Sequence, residues 1–135
     1  MIPEGYVLHD RKSPLTAPWE PIYVRRTDRA VHLAVEIREA HCNSRGLVHG
    51  GLISALADNA MGLSAIAAVI ADGGTPQRAL TISLSLDFTD AARPGEWLEI
   101  VPQVIRVGYS LGFVECRAVV GTRTVARGSA TFRMG

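Results

Sequence analysis

The chain has 135 residues, 47% of them hydrophobic, a length that suits one domain with a sizeable core. Thirteen acidic and fourteen basic residues leave a net charge of +1, which gives no signal for a polyanion, so no nucleic-acid partner is expected. No charged-apolar-small leader opens the sequence, and Cys42 and Cys116 lack metal-ligand spacing, so a reduced, cytoplasmic, metal-free protein is expected. Residues 1–21 contain Pro3, Pro14, Pro18 and Pro21 and read as an irregular N-terminal arm with a short helical turn. Ile22-Tyr23-Val24-Arg25 is a short strand and Asp28-Arg29 a turn. Val31, Leu33, Val35 and Ile37 then alternate with His32, Ala34 and Glu36, the pattern of a strand with one buried face.

The centre of the chain is different. Asn43-Ser44-Arg45-Gly46 is turn-forming and leads to His49-Gly50-Gly51. Leu52 to Ile70 follows, rich in Ala and Leu and free of Pro, so a long helix is expected from Gly50 or Gly51. It is apolar nearly all round and should be buried on nearly every side. Its one carboxylate, Asp58, is costly there unless paired or hydrogen-bonded. Asp58 reads either as part of a polar stripe with Ser54 and Gly62, or as the base or nucleophile of a site. A membrane span fits the length, but a mid-span charge costs roughly 2.5–3.5 kcal/mol, and the amphipathic strands nearby argue against it.

Asp72-Gly73-Gly74-Thr75-Pro76 breaks the helix. Leu80, Ile82, Leu84, Leu86 and Phe88 alternate with Thr81, Ser83, Ser85 and Asp87, a strand with one face on the helix and one polar face. Trp97 to Val107 is the next strand, with Pro102 marking a bulge or an edge position. Leu111–Val120 and Thr124–Phe132 form a hairpin around Gly121-Thr122-Arg123. The order of elements gives an α+β class: one antiparallel sheet with a helix on one side.

The helix N-terminus at Gly50 is a candidate anion site, because its N–H groups have no internal partner and glycine admits a close ligand. Asp58 lies eight residues further on, about 12 Å along the axis. A single helix cannot offer both to one reacting carbon. If they cooperate, they come from two antiparallel copies, which predicts an obligate homo-oligomer, a dimer or dimer of dimers.

Asn43, Gly46, His49-Gly50-Gly51 and Leu56-Ala57-Asp58-Asn59-Ala60 resemble the signature of hotdog-fold acyl-CoA thioesterases, closest to the PaaI-type (phenylacetate-pathway) branch. The resemblance runs from about Ser13 to Phe132. It implies a single hotdog domain in which the sheet wraps the helix, with active sites at a dimer interface and acyl- or aryl-CoA as substrate. Coenzyme A enters as part of that substrate, and no other cofactor is implied. In the thioester reaction the Gly50 N–H would take the carbonyl oxygen. Asp58 of the other subunit would activate water or attack directly. Asn43 would orient the water or the loop, and His49 would fix the loop or meet the sulfur side. Thr81 matches a hydroxyl position near the attacking water in the family; an ordinary strand threonine is the alternative. The 4-hydroxybenzoyl branch differs, with a glutamate as the acid and a threonine one turn later, where this chain has Asp58 and Gly62. Gly62 would leave room for a bulky acyl group. For coenzyme A the candidates are Gly51, Arg78, Arg106, Gly108, Ser110 and Gly112, the glycines permitting close approach and the arginines meeting phosphate. A non-catalytic CoA-ester-binding module and a hotdog hydratase or dehydratase are the competing functions.

Overall fold

The structure, a computed structural model, describes residues 2–135; Met1, the first residue of the expected arm, lies outside the described residues. Seven strands form one antiparallel sheet: β1 (Val7–Leu8), β2 (Tyr23–Arg26), β3 (Val31–Glu36), β4 (Ala79–Phe88), β5 (Trp97–Val107), β6 (Leu111–Val120) and β7 (Arg123–Met134). Their spatial order is β1-β2-β3-β5-β6-β7-β4. Helix α1 (Gly50–Ala71) lies on one face and packs on β3 to β7. This is the hotdog arrangement that the resemblance implied. Leu52, Leu56, Met61 and Ala65 of the helix meet Leu33, Leu98, Ile100, Val114 and Phe132 of the sheet in one apolar cluster.

Both ends of α1 are set by local chemistry. The His49 side chain is the N-cap, its Nδ1 accepting from the Gly51 N–H at 2.8 Å. At the other end Gly73 adopts φ +85°, and the Gly74 N–H donates to the Val69 carbonyl at 2.9 Å, a Schellman closure that needs glycine at that position.

Four expectations need correction. The helix is not covered all round: Ser54, Ala55, Asp58, Leu63, Ile66 and Ala67 are only half-buried, and Ile70 is exposed. β3 is buried on both faces, because side chains from the arm and β2 cover its outer side. Tyr6 packs edge-on against Trp97 with ring centres 5.3 Å apart and bonds through its hydroxyl to Glu99. Arg25 lies over the Tyr6 ring and reaches His32 Nδ1 at 3.2 Å. The arm is therefore not wholly irregular; its β1 adds a seventh strand beside β2, and its expected helical turn is a 3-10 turn at Ala17–Trp19.

The last correction is β4, which does not keep one phase. Its pairing with β7 slips between Thr81 and Ser83. Ala79 and Thr81 face the helix before the slip, meeting Gly62 and Asp58 respectively. After it the even-numbered Leu86 and Phe88 do so. One extra residue in a strand moves the side chains that follow to the other face. Pro102, by contrast, suits its place. β5 pairs with β3 only from Trp97 to Ile100, so Pro102 has a neighbour on the β6 side alone, and its missing N–H interrupts no ladder.

Candidate active site

Asn43 builds the loop before α1. Its Oδ1 accepts from the Arg45 N–H at 2.9 Å and the Leu47 N–H at 3.2 Å, while Gly46 turns the chain at φ +76°. The His49 N–H donates to the His41 carbonyl at 2.9 Å, and Val48 to Ala92. His41 is itself fixed: Nδ1 accepts from the Arg38 N–H at 3.1 Å and Nε2 bonds to the Trp19 carbonyl at 2.9 Å. Burial holds its pKa below the usual histidine value. The turn leading into the helix is thus tied to the sheet and the arm.

Because His49 takes the Gly51 N–H, Gly51 has no donor to spare for a ligand. The Gly50 N–H has no intramolecular partner among the described residues. A Cβ at Gly50 would meet the Phe88 ring at 3.2 Å, so Phe88 of β4 flanks this donor.

Asp58 lies two helical turns away. Its Oδ1 accepts from the Thr81 hydroxyl at 2.7 Å, and among the described residues it has no cationic partner. Asp58 and Thr81 sit in the wall of a cavity of about 440 Å³ between α1, the arm and the start of β4. Leu56, Leu63, Ile66 and Phe132 give it apolar walls. Gly62 also lines it, but a Cβ there would meet Phe132 Cε1 at 3.3 Å and Ala79 at 3.9 Å. The missing side chain lets Phe132 close on the helix; it does not leave room for a bulky acyl group.

The coenzyme A candidates divide. Arg78 is exposed and lines the cavity, and its carbonyl accepts from the Gly135 N–H at 3.0 Å. Gly108 and Ser110 form the β5–β6 turn nearby, where the Ser110 carbonyl accepts from Met134. Arg106 is exposed just before it, beside a bulge in β5. Gly112 is buried, and a Cβ there would meet Met134 Sδ at 3.2 Å and Ala65 at 3.5 Å, so it serves packing and not ligand approach. Within one chain, then, Asn43, His49, Gly50 and Gly51 form one group and Asp58, Thr81 and Arg78 another. Phe88 beside Gly50 and Ala79 beside Gly62 are nine strand positions apart, about 30 Å when extended.

His9, Arg11, Lys12 and Thr16 of the arm and Gln77 also line the cavity. None was singled out from sequence, because each sits in a stretch without periodicity. Prolines bracketing polar residues are the only signal there.

A protein-family model described as the thioesterase superfamily matches residues 45–127. The chain is 37% identical, over 98% of its own length and 97% of the other's, to a Pseudomonas aeruginosa protein whose name provisionally assigns it as an esterase. It is 27% identical to human acyl-coenzyme A thioesterase 13 over 75% of this chain and 70% of that protein. Among solved structures, zebrafish thioesterase superfamily member 2 superposes with a TM-score of 0.80 at 23% identity, covering 91% of this chain and 88% of that one. A mutant of the phenylacetic acid degradation protein PaaI from Thermus thermophilus gives 0.74 at 22%, covering 90% and 98%.

Proposed function

The chain belongs to the thioesterase superfamily, and from that premise we propose that it hydrolyses acyl-CoA or aryl-CoA thioesters to the free acid and coenzyme A, in sites shared by two copies. The observation that carries the reading is Asp58: a carboxylate without a cationic partner among the described residues, held at Oδ1 by Thr81, in the wall of a cavity with apolar walls from Leu56, Leu63, Ile66 and Phe132. The Thr81 hydroxyl orients the group and leaves Oδ2 to act on water or on the thioester.

The second half of the site comes from the free edge of β4. Leu80, Ile82 and Phe88 are 68%, 57% and 53% exposed along a ten-residue strand with one side unpaired. An exposed apolar edge is a template for another strand. Two copies of β4 pairing antiparallel about a two-fold through their middle would bring Phe88 of one close to Ala79 of the other. The Gly50 N–H of one copy then comes to the Asp58–Thr81 pair of its partner. Such pairing also gives the half-open face of α1 a surface to meet. The human thioesterase's name supports coenzyme A as the carrier, and Arg78 at the cavity rim suits a phosphate.

In the step itself, the carbonyl oxygen lies on the Gly50 N–H at the positive end of the helix dipole. Asp58 takes a proton from water as the oxygen of that water bonds to the carbonyl carbon. The oxyanion collapses, the C–S bond breaks, and the thiolate leaves with the proton. Alternatively the Asp58 carboxylate attacks the carbonyl carbon and the C–S bond breaks, coenzyme A leaving as its thiolate; water then opens the anhydride, which frees the acid, returns the Asp58 carboxylate and supplies the thiolate's proton. A single turnover in ¹⁸O-water tests for the anhydride: solvent oxygen in Asp58 comes only from an anhydride opened at the Asp58 carbonyl, whereas general-base attack leaves Asp58 unlabelled.

The test of the function is thiol release from a panel of acyl- and aryl-CoA esters, read with a thiol reagent. Release by the wild type and a drop of about a thousandfold in Asp58→Asn support hydrolysis. Binding without release would assign a CoA-ester-binding module instead.

A further inference from the structure

The Gly50 N–H lies in the peptide plane that joins His49 to Gly50, so its direction follows from how His49 is held. On the helix side, the His49 carbonyl accepts from the Leu52 N–H at 3.0 Å and the Ile53 N–H at 3.3 Å. On the other side, the His49 N–H rests on the His41 carbonyl at 2.9 Å. The His41 residue is 1% exposed, and both its ring nitrogens are engaged. Nδ1 faces the Arg38 N–H at 3.1 Å, a group that can only donate. Nε2 faces the Trp19 carbonyl at 2.9 Å, a group that can only accept. The ring is therefore neutral, with its proton on Nε2. Arg38 grips the same stretch of the arm from outside: its guanidinium donates to the Pro18 carbonyl at 3.0 Å and to the Glu20 carbonyl, on either side of Trp19.

We propose that His41 is a positioning residue for the reaction, its ring fixing the carbonyl on which His49 hangs and so aiming the Gly50 N–H at the ester oxygen, a role that rests on the thioesterase reading of the site. Neither ring nitrogen is free to meet substrate, so His41 is not itself the acid or the base. Its effect runs through the backbone. An apolar side chain of the same size would fill the space but would leave the Arg38 N–H and the Trp19 carbonyl bare. The turn would then settle elsewhere by a fraction of an ångström. Such a shift is minor for packing, yet an oxyanion donor must stand about 2.7–3.1 Å from the charge it stabilises, and small misplacements there are costly in rate.

The experiment is a double-mutant cycle on one good CoA ester. His41→Gln keeps a donor near the Nε2 position for Trp19 and loses the acceptor for Arg38; His41→Asn does the reverse. Each should cut kcat about tenfold while KM changes less than about twofold. In Gly50→Pro, which has no N–H left to aim, the same substitutions should change kcat by less than about twofold. In Gly50→Ala, which keeps the N–H, the tenfold loss should persist. Equal losses in the proline and wild-type backgrounds overturn the proposal, as does a wild-type kcat in both His41 variants, whatever their melting temperatures. If neither His41 variant folds, Arg38→Met on the surface decides: a loss of about threefold that vanishes in Gly50→Pro upholds the role, and no loss or an equal loss overturns it. If the wild type binds esters but releases no thiol, the hydrolytic reading is what fails. The cycle is then read on Kd by calorimetry, where coupling between His41→Gln and Gly50→Pro upholds the role and additivity overturns it. A protein that binds no ester overturns both.

Discussion

Replacing Gly50 with proline isolates one hydrogen-bond donor with little disturbance to the fold. Gly50 is the first helical residue, the position at which proline is best tolerated in a helix. Its N–H makes no bond within the described residues, so none is lost. His49 before it has φ −72° and ψ 134°, the extended conformation that a residue preceding proline prefers. The new Cβ meets the tip of the Phe88 ring at 3.2 Å, and that side chain is half-exposed and can turn aside. Stability should therefore change by less than about 1 kcal/mol, the unfolded chain losing some freedom as the ring gives way. Catalysis should suffer far more. Loss of one oxyanion donor costs about 2.7–4 kcal/mol of transition-state stabilisation, or roughly 10²- to 10³-fold in kcat. Gly50→Ala is the control, since it adds the same Cβ and keeps the N–H. Steady-state kinetics of both variants on one good ester, with thermal melts alongside, make the comparison. Equal kcat for the proline and alanine variants would refute the assignment of Gly50 as the oxyanion donor.

Thr81→Val removes only the 2.7 Å bond to Asp58, and kcat should fall about tenfold to a hundredfold with Thr81→Ser restoring most of it; a wild-type kcat in the valine variant would leave Thr81 an ordinary strand residue. Leu84→Asp on the free edge of β4 should shift the protein to monomer in sedimentation and abolish hydrolysis with it, and an active monomer would contradict the shared site. Gly62→Val should lower stability by roughly 1–3 kcal/mol in urea titration, because Phe132 already lies 3.3 Å from where a Cβ would stand. Burial pushes the Cys116 thiol up from 9.0 to about 11, so the folded state resists its ionisation. That contribution is complete below about pH 9 and fades as pH rises through about 11, about 2–3 kcal/mol in all. Relative to Cys116→Ala, wild-type stability should fall over that window and stay level below it.

What could be read from the sequence was local. The start of α1, its Gly73 stop, the β6–β7 turn and the isolation of Asp58 on an apolar helix all follow from a few neighbouring residues. The capping role of His49 did not, because histidine is an uncommon cap and the bond depends on the rotamer in the folded turn. The helix-facing side of β4 was misread for a different reason. Alternation from Leu80 to Phe88 is unbroken in sequence, and only the pairing with β7 shows that the phase slips before Ser83. That slip is what lets a polar Thr81 and an apolar Phe88 point to the same side, one beside Asp58 and the other beside Gly50. The arm was opaque because its contribution is tertiary: Tyr6 on Trp97 and Glu99 fixes one end, and Arg38 bonding to the Pro18 carbonyl at 3.0 Å ties down the other. His9 and Thr16 are carried to the cavity between those anchors.

The proposed division of the site between two copies predicts an outcome that no single variant tests. Gly50→Pro and Asp58→Asn should each be inactive alone, since every site in either homodimer lacks a part. When the two are co-expressed, half of the dimers pair one chain of each kind. Each such dimer carries one site with both lesions and one with neither, because the intact Gly50 comes from the Asp58→Asn chain and the intact Asp58 from the Gly50→Pro chain. The mixture should recover about a quarter of wild-type activity, and heterodimers isolated through two different tags about half. A site built within one chain allows no recovery, since neither chain then holds both groups. The outcome depends only on which chain supplies which group, so it holds whether Asp58 attacks water or the thioester.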